Sequence, residues 1–164
     1  MNITRRNALH KTAALGLAAT LSPISASLRA ANANSRKLRV AVVGLGRGMG
    51  HVSTLLAIPD VEIAFLAELD SLRLERGIKA VSEKQQAPCQ GIKDFRKALE
   101  DKTLDAIFIA MPNFWHTPAA LLALQAGKHV YVEKPGSQNP YESELIVSGA
   151  RKYGKLVQMG NQRR

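Results

Sequence analysis

The run Leu38-Arg39-Val40-Ala41-Val42-Val43 passes straight into Gly44-Leu45-Gly46-Arg47-Gly48-Met49-Gly50, and this junction constrains the chain more than any other stretch. It predicts a short apolar strand followed by a turn that only glycines make easily. A helical pattern continues through Val52, Leu55 and Leu56 and stops at Pro59. Strand, glycine turn and helix in that order are the context a dinucleotide fingerprint requires. Glycines let the backbone approach a pyrophosphate closely, and the helix start offers N–H groups and a positive dipole end. Gly44, Gly46, Arg47 and Gly48 are therefore the candidate phosphate-binding residues. One departure stands out: the G-x-G-x-x-G spacing puts its third glycine at position 49, where this chain has Met49, with Gly50 one residue later.

The second half of such a fingerprint is an acid that ends the next strand. Val61-Glu62-Ile63-Ala64-Phe65-Leu66-Ala67 is that strand, and Glu68 follows it 22 positions after Gly46. A carboxylate at about 20 residues suits the two ribose hydroxyls of an adenosine and disfavours a 2′-phosphate, which predicts NAD over NADP. Asp70 is the competing acid, but it precedes Ser71-Leu72-Arg73-Leu74-Glu75-Arg76 in the manner of a helix N-cap.

The remaining segments keep alternating. Helix is expected over about 49–58 and 71–84, and a short edge strand within 85–92. A helix over 94–100, a strand over 105–110 and a helix over 117–125 with Pro118 in its first turn and Gly127 at its stop come next. Strand 129–133, helix 141–153 ending at Gly154, and strand 156–159 complete the series. Six strands joined by crossovers predict an α/β fold with a doubly wound parallel sheet, a Rossmann-type dinucleotide-binding domain spanning 34–164.

Near the end, His129-Val130-Tyr131-Val132-Glu133-Lys134-Pro135 reads as a strand that halts at an ionisable pair followed by proline. Proline lacks the N–H a central strand needs, so the strand ends there. Ligands of open α/β sheets bind beyond the carboxyl ends of strands, which places Lys134 within reach of chemistry. Alternation along the strand sends Glu133 to the opposite side, to pack or pair elsewhere.

Met111-Pro112-Asn113-Phe114-Trp115-His116, the block from Ala123 through Ala126-Gly127-Lys128-His129-Val130 to Glu133-Lys134-Pro135, and the ending Val157-Gln158-Met159-Gly160-Asn161-Gln162-Arg163-Arg164 together resemble the glucose–fructose oxidoreductase / inositol dehydrogenase / MocA family, in a branch common among exported bacterial members. The similarity runs from about Leu38 to Arg164. It implies an oxidoreductase that moves a hydride between a nicotinamide dinucleotide and a sugar, inositol or related polyol. By it, Lys134 is the catalytic lysine and Glu68 the ribose acid, with Pro112, Asn113, His116 and Glu133 beside the cofactor. A second α/β domain is implied after this one, bearing substrate contacts and an acid/base, so residues 34–164 alone are expected to bind cofactor without turnover. Homo-oligomerisation of the whole enzyme is expected on the same ground. Two other functions stay open: an NAD-dependent glycosidase of the same family, and a non-catalytic sugar- or nucleotide-binding module.

Several residues carry two readings each. His116 faces the nicotinamide side or packs the turn, and Asn113 bonds a ribose or shapes the chain after Pro112. Phe114 and Trp115 suit core or rim, His51 an ordinary helix surface, and Gln162 and Arg163 an approach to nicotinamide or substrate. No cluster has metal-ligand spacing.

Residues 1–33 carry Arg5, Arg6, Lys11 and Arg29 with no acid, ahead of the mildly apolar Ala13–Leu21 and a small-residue Ala31-Asn32-Ala33. Such a stretch is too short and weak for a membrane span and reads as a cleaved export signal. Thr4-Arg5-Arg6-Asn7-Ala8-Leu9 resembles a twin-arginine signal with Ala8 where phenylalanine is usual, which predicts a periplasmic product and the twin-arginine export machinery as a partner. The chain's net charge of +10 falls to +6 without those four basic residues. The rest of the basic side chains are scattered, without aromatic interleaving, so nucleic acid is not expected as a partner.

Overall fold

The computed structural model describes residues 36–161; the expected export signal, and Gln162 and Arg163, lie outside the described residues. The elements run β1 (Leu38–Val43), α1 (Gly48–Leu55), β2 (Val61–Ala67), α2 (Ser71–Ser82), β3 (Gln90–Ile92) and α3 (Arg96–Leu99). They continue as β4 (Ala106–Ile109), a 3-10 turn (Asn113–Trp115), α4 (His116–Gln125), β5 (His129–Val132), α5 (Pro140–Tyr153) and β6 (Val157–Met159). All six strands are parallel, in the order β3-β2-β1-β4-β5-β6. The order reverses between β1 and β4, so the chain leaves the sheet in opposite directions there and opens a crevice.

Alternation along β1 explains why the sheet is covered on both faces. Ala41 and Val43 join one core with Ile107, Ile109, Val130, Val132 and the small residues Ala119, Ala120 and Ala123 of α4. Val40 and Val42 point the other way, into a second core with Val52 and Leu55 of α1, Leu66 of β2 and Val81 of α2. Each buried valine or leucine contributes about 1.5–3 kcal/mol relative to exposure. The alanines of α4 let that helix lie close against the strands it crosses.

Helix ends obey local chemistry. The Asp70 carboxylate accepts from the amides of Leu72 and Arg73, as its N-cap reading requires. Asn139 caps α5 through the amide of Glu142, and Gly154 stops that helix at φ +60°. α1 ends at Leu55, earlier than the apolar pattern suggests, because the next residues tighten into turns whose amides reach Thr54 and Leu55 carbonyls ahead of Pro59. α3 is likewise a single turn, since the Asp94 side chain takes the Arg96 amide and starts the helix two residues late.

One ladder bond beyond each strand levels the loops at the C-terminal edge. The amides of Glu68, Ala110, Glu133 and Gly160 donate to Ile92, Val43, Ile109 and Val132 respectively. The segments after β2, β4, β5 and β6 therefore emerge on one rim, joined by the segment after β1, where the Gly44 amide donates to Ala67. Among the described residues no helix is long and apolar enough to cross a membrane.

Candidate dinucleotide site

A cleft of about 740 Å³ opens on that rim, across the β1/β4 switch point. Gly44 and Gly46 form its floor, Glu68, Leu69 and Arg73 one wall, and Met111, Pro112, Phe114 and Trp115 the other. Phe95 supports the second wall, with its ring edge-on to Trp115 at 6.3 Å.

The glycine turn is dictated sterically. Gly44 sits at φ +84°, and a Cβ there would lie 2.6 Å from the Ala110 carbonyl oxygen. A Cβ on Gly48 would press on Val42 at 3.0 Å, so Gly48 is the residue that lets α1 approach β1. Gly50 has open space around it and plays no packing part. Met49 is accommodated from across the layer: a Cβ on Gly77 of α2 would meet Leu45 at 2.8 Å, Leu66 at 3.0 Å and the Met49 sulfur at 3.7 Å. Gly77 was not singled out in the sequence, because its need arises from a helix distant in the chain.

The amides of Gly46 and Arg47 meet no hydrogen-bonding partner among the described residues, and they lie just before α1. Two unengaged N–H groups at a helix start make an anion cradle. Glu68 faces them. Its Oε2 accepts from the Leu45 amide at 2.7 Å and its Oε1 from Leu69 and Asp70 at 2.8 and 3.2 Å. A carboxylate has about four acceptor positions, so three bonds leave room for a hydroxyl donor. Arg73 stretches toward Gly46 while lying 3.7 Å from Asp70, and Lys93 and Arg96 add positive charge to the same cleft. Arg96 is committed to Asp94, whose pKa it holds at about 2.

Past the second wall, Lys134 follows β5 with an exposed side chain, and its ammonium makes no hydrogen bond or ion pair among the described residues. The Lys134–Pro135 peptide is cis. Asn113 is exposed at the start of the 3-10 turn, where its carbonyl receives the His116 amide.

Of its two readings, His116 takes the turn-packing one: it is 1% exposed, with Nδ1 2.6 Å from the Pro135 carbonyl and Nε2 2.8 Å from that of Met111. It ties the turn after β4 to the turn after β5, and so bears on the site through backbone. His51, by contrast, is no ordinary helix surface, and that expectation is overturned. Its Nε2 lies 2.8 Å from Glu133 Oε1, and its ring packs edge-on to Tyr131 and tilted against Phe108. Positions 48, 51, 52 and 55 follow the i, i+3, i+4, i+7 rule, so the helical stripe itself was the signal. Glu133 is buried and turned toward α1, with Arg47 Nε 3.9 Å away.

Of the sequence-derived candidates, the cleft brings together Gly44, Gly46, Glu68 and Pro112; Arg47, Gly48, Asn113, Glu133 and Lys134 are not among its lining residues, and His116 is buried. Among the described residues no group of three or more His, Cys, Asp or Glu is placed to hold a metal.

The fold and this glycine-floored cleft are those of a dinucleotide-binding domain. Residues 38–161 match the family described as an oxidoreductase family with an NAD-binding Rossmann fold, and the chain belongs to that family. It is 30% identical over 131 residues to an uncharacterized oxidoreductase, YrbE, of Bacillus subtilis, covering 79% of this chain and 37% of that protein. A glycosyl hydrolase family 109 protein of Saccharopolyspora erythraea is 32% identical over 130 residues, 76% of this chain and 28% of that one. The chain thus spans about a third of the length of these relatives. Among solved structures, apo scyllo-inositol dehydrogenase from Lactobacillus casei superposes with a TM-score of 0.67 at 25% identity, over 76% of this chain and 36% of that one. GenD2 from gentamicin A biosynthesis, in complex with NAD, gives 0.71 at 26% identity over 77% and 35%.

Proposed function

We propose that this domain serves an oxidoreductase that moves a hydride between NAD and a sugar, inositol or related polyol. The observation that carries the reading is the pair of unengaged amides at Gly46 and Arg47, beside the Glu68 carboxylate that holds the Leu45 amide of the same turn. The residues fit the cofactor. The Gly44–Gly48 turn and the start of α1 would hold the pyrophosphate, Glu68 the adenosine ribose, and Pro112 and Asn113 the nicotinamide half, while the buried His116 and Glu133 fix the turns that carry them. Bound NAD supplies the hydride acceptor. Lys134, exposed just after β5, would hydrogen-bond the oxygen of the reacting alcohol and orient it, while the hydride would pass to NAD and the hydroxyl proton to an acid/base supplied by the rest of the enzyme. The test is NADH formation from a panel of inositols and hexoses by the enzyme bearing this domain. Lys134→Ala should lower turnover by on the order of a hundredfold while cofactor affinity changes little. Undiminished turnover in Lys134→Ala would remove the lysine from this role.

A second reading, NAD-dependent glycoside cleavage, draws on the relatives named as glycosyl hydrolase family 109 proteins. It predicts sugar release with tightly held cofactor and no net NADH, whereas the dehydrogenase reading predicts NADH in step with product.

Export through the twin-arginine route, with a homo-oligomeric periplasmic enzyme as the product, belongs to the same proposal and rests on Arg5, Arg6 and the segment after them. Replacing both arginines by lysine should stop processed protein, beginning near Asn34, from reaching the periplasm. Continued processing there would contradict it.

A further inference from the structure

We propose that His51 is a positioning residue for this site, acting through Glu133 to hold the glycine turn and the Lys134 turn in register. The inference rests on the dinucleotide reading above. Glu133 follows β5 directly, and its side chain is only 5% exposed. A carboxylate so buried requires donors, because it can only accept when ionised. His51 Nε2 meets its Oε1 at 2.8 Å, while Oε2 takes the backbone amide of Lys134 at 3.3 Å. Arg47, the last residue before α1, stands 3.9 Å from the same Oε1. One buried carboxylate thus touches the turn that would cradle phosphate and the turn that carries the candidate catalytic lysine.

The geometry of His51 is set independently of Glu133. Phe108 of β4 and Tyr131 of β5 stack at 5.1 Å and form a floor, and the imidazole sits on it with centroids 5.1 Å from Tyr131 and 5.8 Å from Phe108. These rings flank the ladder Phe108–Tyr131, so the histidine is anchored to the sheet rather than to the loops. It delivers its N–H to Glu133 at a place the strands determine. Without that donor, the carboxylate turns to Arg47, drawing the turn's cation from the phosphate position and releasing the Lys134 amide.

His51→Phe keeps a ring on the aromatic floor and removes the donor; His51→Gln restores an N–H within reach of Glu133. NADH titration of the chain, melting by circular dichroism, and amide spectra of the ligand-free protein read the result. The expected outcome for folded His51→Phe is at least a tenfold rise in the NADH dissociation constant, with the Arg47 and Lys134 amides displaced together. His51→Gln should return to within threefold of wild type. Affinity within twofold of wild type in His51→Phe, or a loss that His51→Gln does not recover, overturns the proposal. If His51→Phe does not fold, His51→Asn, whose shorter amide cannot span to Glu133, replaces it, and equal affinities of Asn and Gln variants overturn the proposal. If wild type itself binds no NADH, the dinucleotide reading falls, and the positioning role is decided by the ligand-free spectra: unmoved Arg47 and Lys134 amides refute it.

Discussion

The Leu45 amide donates to Glu68 Oε2 at 2.7 Å, so the acid that ends β2 also fastens the turn that ends β1. One side chain therefore shapes the glycine turn and lines the cleft beside it. Both roles depend on its negative charge, which the surrounding amides of Leu69 and Asp70 support.

On the proposed reading, that charge favours NAD over NADP. Two unit charges about 4 Å apart at an effective dielectric near 20 interact by roughly 4 kcal/mol, less where water screens them, as it does at this rim. Arg73, in the same wall, offsets part of it. The chain should bind NADH at least tenfold more tightly than NADPH by calorimetric titration. Glu68→Ser should narrow that ratio and also weaken NADH, because the Leu45 amide loses its acceptor. Tighter binding of NADPH by wild type, with no change in Glu68→Ser, would contradict this.

Three glycine-to-alanine changes should separate by sign. Gly44→Ala forces a side chain into a left-handed residue and onto the Ala110 carbonyl, and should cost about 3 kcal/mol. Gly77→Ala gains helix propensity but crowds Leu45 and Leu66, for a net loss of about 1–2 kcal/mol. Gly50→Ala meets nothing within 4 Å and should stabilise α1 by roughly 0.5–1 kcal/mol. Urea denaturation orders the three; a destabilised Gly50→Ala would disprove the assignment of Gly48, not Gly50, as the packing glycine.

Cys89, the chain's single cysteine, should be inert. Burial, and then the charge of Glu62, push its thiol up to about 12 from 9.0. At pH 8 the reactive thiolate is scarcer by on the order of a thousandfold than in the unfolded chain, and alkylation by iodoacetamide should be slower in proportion. The unfolded chain releases this proton first. The thiol's contribution to stability is therefore complete below about 9 and declines as pH rises toward about 12. Alkylation at the same rate with and without urea would refute the burial argument.

The strands were legible because their apolar runs are short and bounded by Gly, Pro and Asp, and the sheet order follows once β1 is known to carry the glycine turn. Glu68 was legible as a cleft residue from its place after a strand, and the position of Lys134 just beyond β5 was legible in the same way. His116 was harder, since a histidine at a helix start has the same local sequence whether it faces a ligand or clamps two loops. What separates the cases is that Pro135, 19 residues on, returns its carbonyl to the ring. Gly77 and the partner of His51 share that character. The helical stripe marks His51 as inward-facing, but that Glu133 meets it, and that Gly77 meets Leu45 and Leu66, is specified by residues that come together only after the layers close.

The most direct measurement is an amide-resolved titration of the ¹⁵N-labelled chain with NAD⁺. Binding at the C-terminal rim predicts saturable shifts at Gly44, Gly46, Arg47, Glu68, Met111, Asn113 and Lys134. Leu38, Asp60, Leu104 and Gly127, at the opposite edge of the same strands, should stay unmoved. Absence of saturable shifts at millimolar NAD⁺, or shifts gathered at that opposite edge, would contradict the assignment of this cleft as the dinucleotide site.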